Sequence, residues 1–128
     1  MISFERFTME DGLPIYTQII RHIKRGIAAG VIKDREEMPS RRGFSALLGG
    51  NPNTIQKAYR LLEEEGIIES HSGAKSYALV DAAQVERVRE QLLESDAKAI
   101  ISAMKQMGVP KAEALGLVDR LWDEEETK

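Results

Sequence analysis

Apolar residues recur at helical spacing in the first third of the chain. They form one stripe: Ile15, Tyr16, Ile19, Ile20, Ile23 and Ile27. This spacing predicts a long amphipathic helix, and the stripe is wide enough that it must be buried. We expect the helix to end at Gly30, with His22 and Lys24 outside the stripe and solvated. Residues 31–32 after it predict a very short strand.

A short second helix is predicted over residues 40–48. Ser40 can cap it, because the serine hydroxyl can accept a hydrogen bond from a first-turn N–H. Gly43 stands where a Glu or Gln would complete a capping box, and glycine costs about 1 kcal/mol relative to alanine inside a helix. The predicted buried face consists of Phe44, Leu47 and Leu48. Gly49 and Gly50 then predict a tight turn.

A third helix is indicated by its end signals as well as by its periodicity. Asn51 is a favourable N-cap, and Pro52 fits the first helical position, where its missing N–H is not needed. The apolar face comprises Ile55, Ala58, Tyr59 and Leu62. Gly66 suits the left-handed position that ends a helix. The second and third helices together predict a helix-turn-helix.

A polar segment over residues 70–76 predicts the tip of a hairpin, or wing. The apolar residues that flank it are Ile67, Ile68, Tyr77, Leu79 and Val80. The predicted fold is mainly α with a small β component (α+β). It combines a winged helix-turn-helix with a two-stranded wing, over residues 1–80, and a C-terminal two-helix hairpin, over residues 81–128.

The C-terminal segment is predicted to mediate dimerisation. Asp81 followed by Gln84 resembles a capping box, and a helix of more than 20 residues then runs to the break at residues 108–110. The predicted interface residues are Val85, Val88, Leu92, Ala99, Ala103, Met107, Leu117, Val118, Leu121 and Trp122. Because 48 residues are few for an independent core, we expect two copies to cover each other as a homodimer. The alternative is that the hairpin folds back on its own winged domain.

Composition excludes several classes of protein. The 128 residues contain no cysteine, so disulfides, thiolate zinc sites and cysteine nucleophiles are absent. No apolar run approaches the roughly 18 residues of a membrane span, and the N-terminus resembles no targeting signal, so we expect a cytoplasmic protein without a membrane partner. Two distant histidines and no paired carboxylates beside a base give no support to an enzyme. We therefore predict no catalytic residue, metal site or cofactor.

Charge is distributed unevenly along the chain. The net charge of −3 divides into +1 for residues 1–80 and −4 for residues 81–128. Residues 38–62 contain no Asp or Glu, and their cations are Arg41, Arg42, Lys57 and Arg60. A basic island in an acidic protein favours nucleic acid as the partner of this region.

The outward face of the third helix carries groups that can read base edges and phosphates in a major groove. These residues are Asn53, Thr54, Gln56, Lys57 and Arg60. Taken alone, the helix is equally compatible with a plain solvated surface. The basic island around it makes DNA binding the favoured interpretation.

Three stretches of the chain match a known sequence pattern. They are Pro14-Ile15-Tyr16 with Gln18-Ile19, then Pro39-Ser40-Arg41-Arg42, and then Asn51-Pro52-Asn53-Thr54-Ile55 with Lys57-Ala58-Tyr59, Leu62-Glu63 and Glu65-Gly66. The last run is long and rigidly spaced. Together these stretches resemble GntR-type transcriptional regulators, specifically their short YtrA-like branch. The resemblance implies a DNA-binding regulator, expected to be a repressor, that binds a pseudo-palindromic double-stranded operator as a homodimer.

The resemblance also implies roles for individual residues. Arg42 matches an arginine that reaches a guanine edge in the operator. The matches to recognition-helix positions are Asn51, Asn53, Thr54, Gln56 and Lys57. Ser72 and Gly73 match the wing tip, which lies at the minor groove in the family. Together with Arg41 and Lys75, these residues form the predicted DNA-binding set.

Three departures from the family pattern leave an alternative open. Gly43 replaces an acidic residue, Gly50 an aliphatic one, and Lys75 the second glycine of the wing. The two glycines are expected to loosen the helix-turn-helix, and Lys75 to change how the wing approaches DNA. The alternative function is therefore a protein-interaction module with a winged-helix fold and weakened or lost operator binding. A small-molecule effector is left open, since two helices offer little volume for a pocket.

Overall fold

The helices and strands follow one another in the order that the sequence predicts. The computed structural model describes residues 1–4, 7, 12–49, 51–71 and 75–124. Its elements are α1 Ile15–Ala28, α2 Arg41–Leu48, α3 Pro52–Glu64, β1 Ile68–His71, β2 Lys75–Ala78, α4 Ala82–Gln106 and α5 Lys111–Trp122. The predicted fold class, a winged helix-turn-helix followed by two helices, is confirmed.

Local capping fixes the two helices of the helix-turn-helix. The Ser40 hydroxyl accepts a hydrogen bond from the Gly43 N–H at 3.0 Å, so α2 continues through the glycine. Asn51 Oδ1 accepts from the Asn53 N–H at 2.9 Å, as its N-cap role requires. Gly49 ends α2 with a φ of 64°, a left-handed conformation that glycine adopts at little cost. Gly50 lies outside the described residues.

The core of the first compact unit, Met1–Glu90, called the reading domain below, lies between the first three helices. The fully buried side chains of these helices are Ile19, Ile23, Ile27, Phe44, Ile55, Ala58, Tyr59 and Leu62. The N-terminal segment adds Ile2 and Phe4, and the Phe4 ring centroid lies 4.3 Å from that of Phe44. The predicted apolar faces of α1 and α3 are thus the faces that pack, and they hold α3 with its polar face outward.

Two side chains of α1 predicted to be solvated are engaged in contacts. Lys24 is 7% exposed, and its Nζ lies 2.9 Å from Glu65 Oε1. His22 stacks on Phe4 and its Nε2 donates to the Ser3 carbonyl at 2.9 Å. Both predictions were wrong for the same reason. A helical wheel reports on its own helix, whereas these partners come from the N-terminal segment and from the end of α3.

The wing is a two-stranded antiparallel sheet extended by the segment that precedes α2. Ile68 faces Ala78 and His71 faces Lys75 across the ladder. Glu37 forms an isolated bridge with Tyr77, and neighbouring backbone hydrogen bonds at 2.8 Å continue the pairing on both sides. The predicted strand at residues 31–32 was wrong, because residues 36–38 supply this edge instead.

The chain divides into two compact units, Met1–Glu90 and Gln91–Lys128. The first turns of α4 belong to the first unit. Asp81 caps them by accepting from the Gln84 N–H at 2.8 Å, and the Gln84 side chain donates to the Gly66 carbonyl at 2.9 Å. Among the described residues of the second unit, none is buried. No helix in the described part of the chain is long and apolar enough to cross a membrane.

Candidate nucleic-acid interface

Side chains from α2 and α3 line one shallow surface concavity of about 570 Å³. Its lining residues are Arg41, Arg42, Ser45, Ala46, Pro52, Asn53 and Gln56. The structure thus brings predicted readers from two helices onto one surface, which the capped turn between the helices makes possible. This surface is called the reading face below.

Arg42 is the free cation of the reading face. Its side chain is exposed and forms no ion pair with any described residue. Asn53 and Gln56 are also exposed, and their amides keep donors and acceptors available to solvent. Asn51 differs from them, because its side-chain oxygen is occupied by the cap of α3. A guanidinium and two amides can hydrogen-bond to purine edges in a major groove.

Two further cations, both on α3, have partners within the chain. Lys57 Nζ lies 4.1 Å from the centre of the Tyr16 ring, a cation–π contact that leaves the lysine exposed. Arg60 pairs with Glu64 one turn along the helix, at 3.1 Å. Tyr16 therefore orients Lys57 at the rim of the reading face. Thr54, between the predicted readers, is half-buried.

Arg41 is held by contacts inside the domain. Its Nη2 donates to Glu63 Oε1 at 2.7 Å, and the Ser70 hydroxyl donates to the same oxygen at 2.8 Å. Its guanidinium carbon lies 5.1 Å from the centre of the Tyr59 ring. The sequence does not reveal this network, because Glu63 and Ser70 lie more than 20 residues away.

The Tyr59 hydroxyl links α3 to the segment that precedes α2. It donates to the Pro39 carbonyl at 2.5 Å, and the side chain is 1% exposed. Burial raises the pKa of Tyr59 well above its usual range, and the nearby Arg41 charge acts weakly in the opposite direction. The tyrosine thus stays neutral and keeps its donor at physiological pH.

The wing carries a second group of cations on its outer face. Lys75 is exposed and faces His71 across the ladder, whereas Ser72 and Gly73 lie outside the described residues. Glu69 accepts from His71 at 3.0 Å and from Arg35 at 2.6 Å, and these hydrogen bonds lower the pKa of Glu69. Arg35 adopts a left-handed φ of 67°. No sequence periodicity indicated that it belongs to this group.

The predicted interface residues of the C-terminal segment differ in accessibility. Val88 is 2% exposed in the single chain and has no surface left to contribute to a dimer. Val85, Leu92, Leu117 and Leu121 are half-buried. Ala99, Ala103, Met107, Val118 and Trp122 are exposed.

Mainly apolar residues of the second unit line a groove of about 510 Å³, and Val118 is the one lining residue that the predicted interface set contains. Its apolar lining residues are Ala97, Ile100, Ile101, Met104, Val109, Ala114, Leu115 and Val118. The signal for them was present in the sequence. Positions 93, 97, 100, 101 and 104 have helical spacing, and all of them except Ala97 carry larger side chains than the predicted Ala99 and Ala103.

Within the described ranges, no three His, Asp or Glu side chains come together as a metal site would require. The reading face offers two guanidinium groups and two side-chain amides to a partner.

Comparison with known proteins identifies the family. The pattern of the gntR family of bacterial regulatory proteins matches residues 15–77. The chain is 36% identical over 94 residues to the HTH-type transcriptional repressor YtrA of Bacillus subtilis (strain 168), which covers 73% of this chain and 68% of that protein.

Two solved structures are similar over most of the chain. A GntR family transcriptional regulator from Listeria monocytogenes has a TM-score of 0.74 and 30% identity, covering 88% of this chain and 98% of that one. YtrA from Sulfolobus acidocaldarius, a GntR-family transcription factor, has a TM-score of 0.52 and 26% identity, covering 98% of this chain and all of that one (100%). The chain therefore belongs to the gntR family of bacterial regulatory proteins, in its short YtrA-like branch, and is a transcriptional regulator.

Proposed function

We propose that this regulator is a cytoplasmic repressor that binds a pseudo-palindromic operator as a homodimer. The observation that carries the proposal is the reading face, where Arg42, which forms no ion pair within the described part of the chain, lies beside the exposed amides of Asn53 and Gln56. In a helix-turn-helix, the N-terminal residues of the second helix enter the major groove. The reading face is built at that end of α3.

Charge supports the same orientation toward DNA. Arg42 and Lys57 are exposed, and residues 38–62 contain no carboxylate that would repel a phosphate backbone. Lys75 on the wing adds a cation that we expect to contact the DNA backbone beside the major groove that the reading face enters. Several phosphate contacts of this kind make binding strongly salt-dependent.

Dimerisation is proposed from the apolar surface of the second unit. Large apolar side chains are half or more exposed there: Leu93, Ile100, Ile101, Met107, Leu115 and Trp122. Contiguous apolar surface of this kind marks an interaction site, and a two-fold pair of identical hairpins would cover it. A dimer of reading domains would match the symmetry of a palindromic operator.

The proposal is tested by selection of bound sequences from a pool of random DNA duplexes. The wild type and the Arg89→Ala variant, which changes an exposed arginine of α4, should recover the same palindromic site. Arg42→Ala should recover none, because the loss of a bidentate contact to guanine costs about 1–3 kcal/mol of discrimination. Both variants should keep the thermal stability of the wild type.

Salt dependence supplies an independent check. The logarithm of the association constant should fall linearly with the logarithm of salt concentration. If affinity does not change between low and moderate salt, or if no duplex is enriched at low salt, operator binding is refuted. A protein partner, the function predicted for a winged helix that has lost its operator, would then be sought.

A further inference from the structure

Arg41 and Arg42 are neighbours in the basic island but have different structural roles. We infer that Arg41 is a positioning residue, which fixes the wing against the recognition helix through Glu63 and Ser70 and does not itself contact DNA. This inference rests on the proposed operator binding. It also removes Arg41 from the set of DNA contacts that the sequence predicts.

The network around Glu63 joins four elements of the reading domain. Arg41 begins α2, Glu63 lies in the last turn of α3, and Ser70 belongs to β1. One carboxylate oxygen, Glu63 Oε1, accepts from both Arg41 and Ser70. The Ser70 hydroxyl also lies 3.2 Å from that of Ser76 on β2. A single carboxylate thus connects both strands of the wing to both helices of the helix-turn-helix.

The guanidinium of Arg41 is committed to this position. It lies against the Tyr59 ring, and its Nε is buried without a hydrogen bond among the described residues. The Arg41 side chain is 25% exposed, against 55% for Arg60 in its pair with Glu64. To reach DNA, Arg41 would have to leave an ion pair and an aromatic contact. Arg42 has no such partner among the described residues, so its guanidinium can reach DNA without breaking a contact of this kind.

The sign of the effect of Glu63 distinguishes positioning from direct contact. A carboxylate near a DNA-binding surface normally weakens binding, because it repels the phosphates. If Arg41 contacted DNA, removal of Glu63 would release the arginine and strengthen binding. If the network positions the wing, removal of Glu63 weakens binding although a negative charge is lost.

Glu63→Ala and Glu64→Ala provide a matched pair of variants. The two residues are adjacent, each pairs with an arginine, and only Glu63 connects different elements. Affinity for the selected operator is measured at a temperature where thermal unfolding shows each variant to be folded. We expect Glu63→Ala to weaken binding about tenfold, a loss in the range of coupled networks. Glu64→Ala should bind as tightly as the wild type or more tightly.

A double-mutant cycle and the salt dependence complete the test. Arg41→Ala should weaken operator binding when Glu63 is present. It should have little further effect in a protein that already carries Glu63→Ala, because the network is then already lost. It should also leave the salt slope unchanged, whereas loss of a phosphate contact lowers that slope by about one. Glu63→Gln, which keeps an acceptor oxygen, should restore part of the affinity.

Two outcomes would overturn the inference while operator binding stands. One is a Glu63→Ala variant that binds as tightly as the wild type or more tightly. The other is an Arg41→Ala effect of the same factor in both backgrounds together with a lower salt slope. If the wild type itself binds no duplex, the proposed function fails, and the inference fails with it.

Discussion

At the scale of single residues, neighbouring positions on one helix have opposite roles. Successive residues of an α-helix point about 100° apart, so Arg41 can face Glu63 while Arg42 faces solvent. Composition and spacing treat the two arginines alike. Only the position of Glu63, brought close by the packing of α3, separates an anchored guanidinium from a free one.

Tyr59 gives a pH-dependent stability. Its folded-state pKa is raised by burial, so the tyrosine contributes stability that is fully present below pH about 10 and is lost as pH rises toward the folded pKa. Tyr59→Phe should cost about 1 kcal/mol at pH 7, because the hydrogen bond to the Pro39 carbonyl is lost. The difference between wild type and variant should shrink as pH rises above about 10.

Urea unfolding of the two proteins at a series of pH values measures this difference. A difference that stays constant from neutral to alkaline pH would show that Tyr59 does not control the alkaline loss of stability.

The burial of a single side chain is not always predictable from the sequence, as Lys24 and His22 show. Both lie off the apolar stripe, yet the chain folds partners over them.

At the scale of elements, local signals predicted what local interactions determine. Ser40, Asn51 and Gly66 set helix ends through contacts within a few residues, and those ends are confirmed. The edge pairing of Glu37 with Tyr77 was not predictable in this way. Residues 36–38 have little β propensity, and their pairing depends on a hairpin 40 residues later in the chain.

The N-cap of α3 is expected to support both stability and DNA reading. Asn51→Ala should lower the free energy of unfolding by about 1 kcal/mol, since the Asn53 N–H loses its acceptor. The first turn of α3 should then fray and weaken operator binding. Urea unfolding and operator titration measure the two effects.

Asn51→Asp is the informative control for this prediction. An aspartate caps a helix as well as asparagine does, and its charge is favourable at a helix N-terminus. The variant should therefore keep wild-type stability but bind the operator more weakly, because it adds a negative charge next to Pro52 and Asn53 of the reading face. If Asn51→Ala unfolds like the wild type, the cap contributes nothing measurable.

At the scale of the whole molecule, the second unit lacks a buried residue among those described. The sequence predicted two helices and an exposed apolar surface, and on α4 the groove follows a different set of positions from the predicted stripe. Small residues extended the apparent stripe through Ala99 and Ala103, whereas Ile100 and Ile101 line the groove. Side-chain size, and not polarity alone, decides which face remains to be covered.

We expect the assembly to depend on that groove. Ile100→Glu should convert a dimer to a monomer, because a carboxylate would have to lose its water in a mainly apolar interface. Ser95→Glu, at an exposed position on the opposite side of α4, should leave the dimer intact. Sedimentation equilibrium at micromolar concentration measures the mass. A wild type that sediments as a monomer would refute the dimer.

Trp122 is the single tryptophan of the chain and is 75% exposed at the end of α5. The tryptophan fluorescence of the protein therefore comes from the second unit alone, whereas its three tyrosines, Tyr16, Tyr59 and Tyr77, all lie in the first unit. An indole that is shielded from water emits at shorter wavelength. Dilution of the unlabelled protein should therefore shift the emission to longer wavelength as the proposed dimer dissociates. The emission of Trp122 thus provides a label-free test of the proposed dimer.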